Sequence, residues 1–433
     1  MAAPSKFKNW DELNKSALRQ AALELAEAAL GAIDTREVMK KAVRLEGETL
    51  YFPDQAFSLK ETGKVLTVGI GKCALEAAQV VEEVLGERLD GGMVLVPQAE
   101  GQLKRLRVFQ GDHPMPTERN VEATRKILSL LSGLTANDLV IFIISGGGST
   151  LLSQPTNFTC REEALILGRL IKSGAAIQEI NTLRKHTSRA RGGNLAAAAY
   201  PARVVSLIFS DVPGDELSVI ASGPTVKDET SVADAQKIVD RYELAQTGDL
   251  QQIALLETPK DDKYFSRVTN LLLVSNRLAL EAMAEKARTF GFTPRVCTAC
   301  LTGEAREVGE RLVQELDQSG PQTALLYGGE TTVTVKGSGR GGRNQELVLS
   351  ALRRIKSGEL ILSLASDGRD NSDFAGALCD IMTRERAEKL HLDWNKYLAA
   401  NDSYNFFAMT GDYLLTGPTG SNVSDLIIAL RET

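Results

Sequence analysis

The chain has 433 residues, 43% of them hydrophobic and 24% charged, with a formal net charge of −6 at pH 7. That length supports two or three domains of ordinary soluble composition, and the acidic balance argues against a broad nucleic-acid or anionic-membrane surface. No apolar run reaches the roughly 20 residues needed to cross a bilayer, and MAAPSKFKNWDELNK lacks an apolar signal core. Five scattered cysteines give no disulfide framework, so the expected setting is reducing and cytoplasmic. Cys297-x-x-Cys300 has no second metal-binding pair at zinc spacing, and RVCTACL reads as a buried strand. The three histidines are too dispersed for a His-rich metal site.

In chain order, ALRQAALELAEAALGAI predicts a helix, and Asp34 with Glu37 predicts a capping box ahead of VMKKAV. A strand–helix rhythm follows. KVLTVGIG, GGMVLVP, RVFQGD, DLVIFIIS and ARVVSLIFSDV read as strands; ALEAAQVVEEVLG, VEATRKILSLLSGL and EEALILGRLIKSG read as helices. Apolar strands without alternation, separated by amphipathic helices, predict a mostly parallel sheet covered on both faces. The polar stretch from about 242 to 267 predicts a boundary, giving domains 1–250 and 251–433. The second half repeats the α/β pattern, with TALLYGGETTVTV read as a hairpin and hence a mixed sheet.

Several strand ends carry chemistry. Gly69-Ile70-Gly71-Lys72-Cys73-Ala74 has the form of a G-x-G-x-x-A dinucleotide turn. No acidic residue ends the next strand, however, and Lys72 sits inside the turn, so the loop suits a phosphate or carboxylate better than NAD. Ser145-Gly146-Gly147-Gly148-Ser149 places backbone donors at the carboxyl end of an apolar strand. A hydrolase is disfavoured there because G-x-S-x-G is absent. Asn181, Arg184 and Lys185 follow as an amide and two cations, Ser222 lies in a further polar loop, and Asn276 ends NLLLVSN. Asp211, Asp215, Glu330 and Asp367 are carboxylates near strand ends, suited to Mg²⁺.

The most distinctive stretch is Gly337-Ser-Gly-Arg-Gly-Gly-Arg-Asn-Gln-Glu346. Gly339, Gly341 and Gly342 free the backbone for an anion, Arg340 and Arg343 add cations, and a helix pattern follows. It nearly fits G-x-x-x-x-G-K-[ST]. Arg343-Asn344 replaces the lysine and the Mg²⁺-binding hydroxyl, so it reads as an anion-binding glycine loop and not as a P-loop.

VGIGKCA, GDHPMP, ISGGGSTLL, EINTLRKHTSRARGGNLA, SLIFSDVPGDELSVIASGPT, GGETTVTVKGSGRGGRNQELVLS, SLASDGRDNSDFAGA and TGPTGSNVSDL occur in one order along almost the whole chain. In this the sequence resembles the class II glycerate kinases with their C-terminal MOFRL region, here about 325–430. The resemblance implies a Rossmann-like N-terminal domain, a smaller mixed-sheet α/β domain and an active site in the cleft between them. It implies ATP-dependent phosphorylation of D-glycerate, usually to 2-phosphoglycerate, with Mg²⁺. The family's functional lysine and arginine map onto Lys72 and Arg343. Nucleic acid and membrane are not expected partners, and a homo-oligomer is left open. The alternatives are a kinase for another small hydroxy acid, a non-catalytic sugar-phosphate regulator, and an NAD-dependent oxidoreductase using Gly69–Ala74.

Overall fold

The strand–helix rhythm after Val65 builds a six-stranded sheet in the computed structural model, which describes residues 5–244 and 253–432. Its strands are β4 (Val65–Ile70), β5 (Gly91–Val96), β6 (Leu106–Gln110), β7 (Leu139–Ile144), β8 (Arg203–Phe209) and β9 (Val268–Val274). The spatial order is β6-β5-β4-β7-β8-β9, with β6–β5, β5–β4, β4–β7 and β7–β8 all parallel. Counted from β4, this is the doubly wound order 3-2-1-4-5-6, whose direction of winding reverses between β4 and β7. Every residue of β4 and β7 is buried, as their unbroken apolar runs predict. The helix Glu118–Leu131 starts with a capping box at Thr117 and packs Ile127 and Leu131 into the core with Val68, Val140 and Phe142. Burial of each large apolar side chain contributes about 1.5–3 kcal/mol.

Ahead of this sheet stand β1 (Arg44–Glu46), β2 (Thr49–Phe52) and β3 (Gln55–Ser58), a small antiparallel meander. Sequence reading missed it, because strands of three or four residues are too short to show alternation. Gly47 and Asp54 take positive φ at its two turns.

The second sheet contains β10 (Thr293–Leu301), β11 (Thr323–Gly329), β12 (Glu359–Ala365), β13 (Gly376–Asp380), β14 (Tyr413–Leu414) and β15 (Asp425–Arg431), in the order β10-β11-β15-β12-β13-β14. Only β10–β11 is parallel; the other pairings are antiparallel, so the sheet is mixed as expected. The expected hairpin does not form. β11 stops at Gly329, its antiparallel partner is β15, and TTVTV contributes only a bridge between Thr332 and Glu304. The chain's last strand supplies an apolar neighbour, LIIAL, that the half-polar TTVTV cannot match. β10 is a strand but not a buried one: it lies at the sheet edge, with Cys300 exposed and Val296 43% exposed.

The chain divides into two compact units, Val38–Leu273 and Met1–Glu37 with Val274–Thr433. The boundary read at 250/251 falls outside the described residues, and the first 37 residues belong with the C-terminal unit. The physical reason is the helix Ala17–Ala32, capped by Ser16, which packs on the helix Asn276–Thr289 and on β15 and β12. Its fully buried Arg19 donates to Asp380 at 2.7 Å and to Asp412 at 2.8 Å. Asp34 accepts from the Glu37 N–H at 3.1 Å, one half of the expected capping box. No helix among the described residues is long and apolar enough to cross a membrane.

Candidate active site

In Val38–Leu273, the turns after β4, β7 and β8 meet where the sheet's winding reverses. Gly71 has φ +114, and a Cβ there would lie 2.2 Å from Ser145 Oγ, so only glycine allows the first two turns to touch. At Gly146 a Cβ would lie 2.0 Å from Asp211 Oδ2, which brings in the turn after β8. Gly147, at φ +83, packs against His113 and the Lys72 side chain.

The backbone donors divide unequally. The amides of Gly71, Lys72, Cys73 and Ala74 bond to Leu95 O, Gly146 O, Ser145 Oγ and Gly71 O. The dinucleotide-like turn therefore has no amide left for a pyrophosphate. In the next turn the Ser145, Gly148, Thr150 and Leu151 amides are also engaged, whereas those of Gly146, Gly147 and Ser149 meet no acceptor among the described residues.

Cations gather near these donors, beside the Asp211 carboxylate that stands over Gly146. Lys72 is exposed and makes no ion pair among the described residues. Arg184, on the helix Ile177–His186, has a buried Nε without a partner. Burial and then the nearby Arg191 push its pKa down to about 10, so it still carries charge at neutral pH. Arg191 is itself buried, held by Glu163 at 2.6 Å. Ser222 Oγ lies 2.9 Å from Asn181 Oδ1 and 3.0 Å from Ser149 Oγ, forming a polar chain at the rim. Ala221, Ser222 and Gly223 all have φ between +51 and +59, a strained run held in place by this packing. An amide nest beside unpaired cations can hold a phosphate or a carboxylate.

Lys185 does not join this group. It is buried against Asp228 at 3.1 Å, with His186 on the same carboxylate, and serves the interior. Sequence reading also passed over His113 and Arg191, whose positions follow from packing between elements far apart in the chain.

In the other unit, the glycine loop that reads as an anion cradle is partly filled by the chain itself, while the amides of Ser338, Gly341, Gly342 and Arg343 meet no acceptor among the described residues. The amides of Lys336 and Gly337 bond to Asn401, that of Gly339 to Ala400 O, and that of Arg340 to Asp402. The helix Arg343–Ala351 has a built-in anion: Asp370 accepts from the amides of Asn344 and Gln345 at 3.1 and 2.9 Å. Gly342 is needed for that approach, since a Cβ would lie 2.2 Å from Asp370 O. Gly339 and Gly341 press on Asp402 and Ser403 in the same way. Arg340 stacks over Tyr404 and pairs with Asp373 at 2.9 Å.

Arg343 is set by carboxylates. Its Nε and Nη2 donate to Asp425 at 2.6 and 3.0 Å, and Nη2 also reaches Glu330 at 3.0 Å. Asn344 bridges Asp425 and Asp370. Burial pushes the Asp425 pKa up to about 7 against the pull of Arg343. Asn276 is spent on Val423 O and Asp425 O.

The carboxylates read as metal ligands are dispersed. Asp211 stands over Gly146, Asp215 is in the following turn at φ +55, Glu330 pairs with Arg343, and Asp367 accepts the Arg369 amide. No group of three or more acidic, His or Cys side chains among the described residues is arranged to hold a metal.

A doubly wound sheet with an amide-and-cation nest at its reversal point, joined to a mixed-sheet unit with an oriented arginine, defines an α/β protein built to handle small anions. Residues 21–256 match the model of a domain of unknown function, DUF4147, and residues 323–425 that of the MOFRL family. A D-glycerate 2-kinase of Thermotoga maritima is 38% identical over 413 residues, spanning 91% of this chain and 97% of that one. A relative from Agrobacterium vitis, named provisionally as a hydroxypyruvate reductase, is 38% identical over 380 residues, spanning 84% and 86%. The crystal structure of a Thermotoga maritima glycerate kinase matches with a TM-score of 0.86 at 35% identity, covering 96% of this chain and 99% of that one. The chain belongs to the MOFRL family of glycerate 2-kinases.

Proposed function

We infer that this chain is an ATP-dependent kinase that phosphorylates D-glycerate, giving 2-phospho-D-glycerate. The observation that carries the reading is the nest of unengaged Gly146, Gly147 and Ser149 amides beside Lys72 and Arg184, in a chain of this family. Phosphoryl transfer spreads negative charge over the transferring group, so fixed donors and cations supply most of the catalysis. In this reading Lys72 and the nest hold the transferring phosphate or the glycerate carboxylate. Arg343, oriented by Asp425, offers its remaining Nη1 edge to phosphoryl oxygens. Ser149, Asn181 and Ser222 shape the rim.

Mg²⁺ belongs to the proposal. A kinase's Mg²⁺ is commonly held by one or two carboxylates, with phosphates and water completing the shell. Scattered single carboxylates fit that use better than a preformed cage. Asp211, over Gly146, is the candidate beside the nest, with Asp215 further along the same turn, and the ion would neutralise charge on the nucleotide phosphates. A cytoplasmic setting is also part of the reading, supported by five cysteines that are all free.

The test is ATP, Mg²⁺ and D-glycerate with ³¹P NMR of the product, which reads activity and position together. A phosphomonoester at oxygen 3, or no turnover, would overturn the reading. Lys72→Ala with unchanged kinetics for both substrates would remove Lys72 from it. The Agrobacterium relative's name favours a nicotinamide reductase instead, but the engaged amides of Gly71 to Ala74 leave that chemistry no dinucleotide turn. Absence of NADH or NADPH oxidation with hydroxypyruvate is the expected control.

A further inference from the structure

His113 stands in the turn after β6, with Cδ2 and Nε2 3.4 and 3.5 Å from the Cβ position of Gly147. Lys72 Cγ lies 3.6 Å from that same point, so imidazole and lysine flank the middle glycine of the nest. On its own strand end, the neighbouring Asp112 is tied to Thr117 and Asn120. The charged groups facing it from other elements are Lys72 after β4 and Arg184 on the helix Ile177–His186. Asp211 stands over the adjacent Gly146.

We propose that His113 is a proton-linked ligand of the anion held in the Gly146–Ser149 nest, an anionic oxygen of phosphate or of a 2-hydroxycarboxylate. This rests on the reading of the nest given above. Geometry provides the contact: the imidazole edge is packed against Gly147, whose own amide meets no acceptor among the described residues. Electrostatics provides the linkage. In the empty site, burial, Lys72 and Arg184 hold the imidazole below its usual pKa. A bound anion offsets those cations and favours the imidazolium, so binding takes up a proton. The sign follows. The bound-state pKa lies above the free-state pKa, so the extra affinity is complete below the free-state value and disappears as pH rises through the bound-state value. A rise of about one unit corresponds to about tenfold in affinity between these limits.

The experiment is a pH titration of the histidine Cε1 protons by NMR, on the full chain, free and saturated with D-glycerate or with inorganic phosphate. Only three histidines are present, and His113→Gln assigns the signal. The expected result is a free pKa below about 6.5 and a rise of about one unit with ligand. His113→Gln should bind D-glycerate, whose carboxylate stays ionised above about pH 5, with the weaker, pH-independent constant across the same range while retaining the wild-type near-UV circular dichroism. The two ligands separate a phosphate subsite from a carboxylate subsite. If wild-type protein binds both ligands while the His113 pKa stays fixed, or if His113→Gln keeps the pH dependence of D-glycerate binding, the inference fails alone. If wild-type protein binds neither ligand, the reading of the nest fails with it.

Discussion

Replacing Asp370 by alanine tests whether the start of the helix Arg343–Ala351 is closed by the chain's own carboxylate. Asp370 is buried and accepts four bonds: the Asn344 and Gln345 amides and both of their side-chain amides. The side chains have other acceptors, since Asn344 also donates to Asp425, and Gln345 to Asp370 O and Ser372. The two backbone N–H groups have none in reserve. Each orphaned buried donor costs about 1–3 kcal/mol. Against this, removal relieves a carboxylate whose pKa burial has pushed upward. The net expected loss is about 2–4 kcal/mol. Both tryptophans, Trp10 and Trp394, belong to this unit, so urea unfolding followed by tryptophan fluorescence reports on it selectively. Asp370→Asn keeps one acceptor oxygen and should lose roughly half as much. A change below about 0.5 kcal/mol for Asp370→Ala, or a gain in nucleotide affinity with no loss of stability, would show that helix start to be an open anion site after all.

Three further outcomes are expected. Arg19→Ala leaves Asp380 buried without its cation and Asp412 with only Arg386 at 3.4 Å, and should destabilise the same unit by about 3–5 kcal/mol; Arg19→Met, close in volume and without the charge, is the comparison, and equal urea midpoints for Arg19→Ala and wild type would contradict the burial argument. Gly146→Ala forces the Asp211 carboxylate aside and should lower kcat/KM for glycerate by about a hundredfold; Gly168→Ala, with nothing within 4 Å, should stabilise by about 0.4–1 kcal/mol and leave kinetics unchanged. Finally, Asp425, raised to about 7 against about 3.9 unfolded, makes stability fall as pH rises between those values. Arg343→Ala removes the cation that holds this pKa down, so its urea midpoint should continue to fall from pH 7 to pH 9 where the wild type levels off; parallel profiles would count against that coupling.

Much of the first unit was legible because its signals are local. The central parallel strands β4 and β7 are single apolar runs, the helices Glu118–Leu131 and Cys160–Lys172 open on capping boxes, and the glycine turns leave strand ends, so Lys72, Gly146 and Gly147 could be picked out along the chain. The second unit misled where pairing is non-local. TTVTV has strand-like residues, but β11 found a better partner about a hundred residues later in β15. RVCTACL is apolar enough for a core and became an edge. Lys185 and Arg184 are neighbours in sequence, yet helix geometry sends one to Asp228 and leaves the other near His113 with its Nε unpartnered.

By itself the sequence determined the α/β class, the glycine turns and the family to which the chain belongs, because these depend on short-range periodicity and on motifs read in order. Tertiary structure alone decided which amides of the two glycine loops the chain itself takes up. Both loops offer glycine amides in the sequence. In one, Asn401 and Asp402 arrive from distant turns on the amides of Lys336, Gly337 and Arg340, and Asp370 on that of Asn344; in the other, the neighbours that arrive are Lys72, His113 and Asp211, and the amides of Gly146, Gly147 and Ser149 meet no acceptor among the described residues. A backbone donor's vacancy is set by what packs against it, and that is a property of the fold.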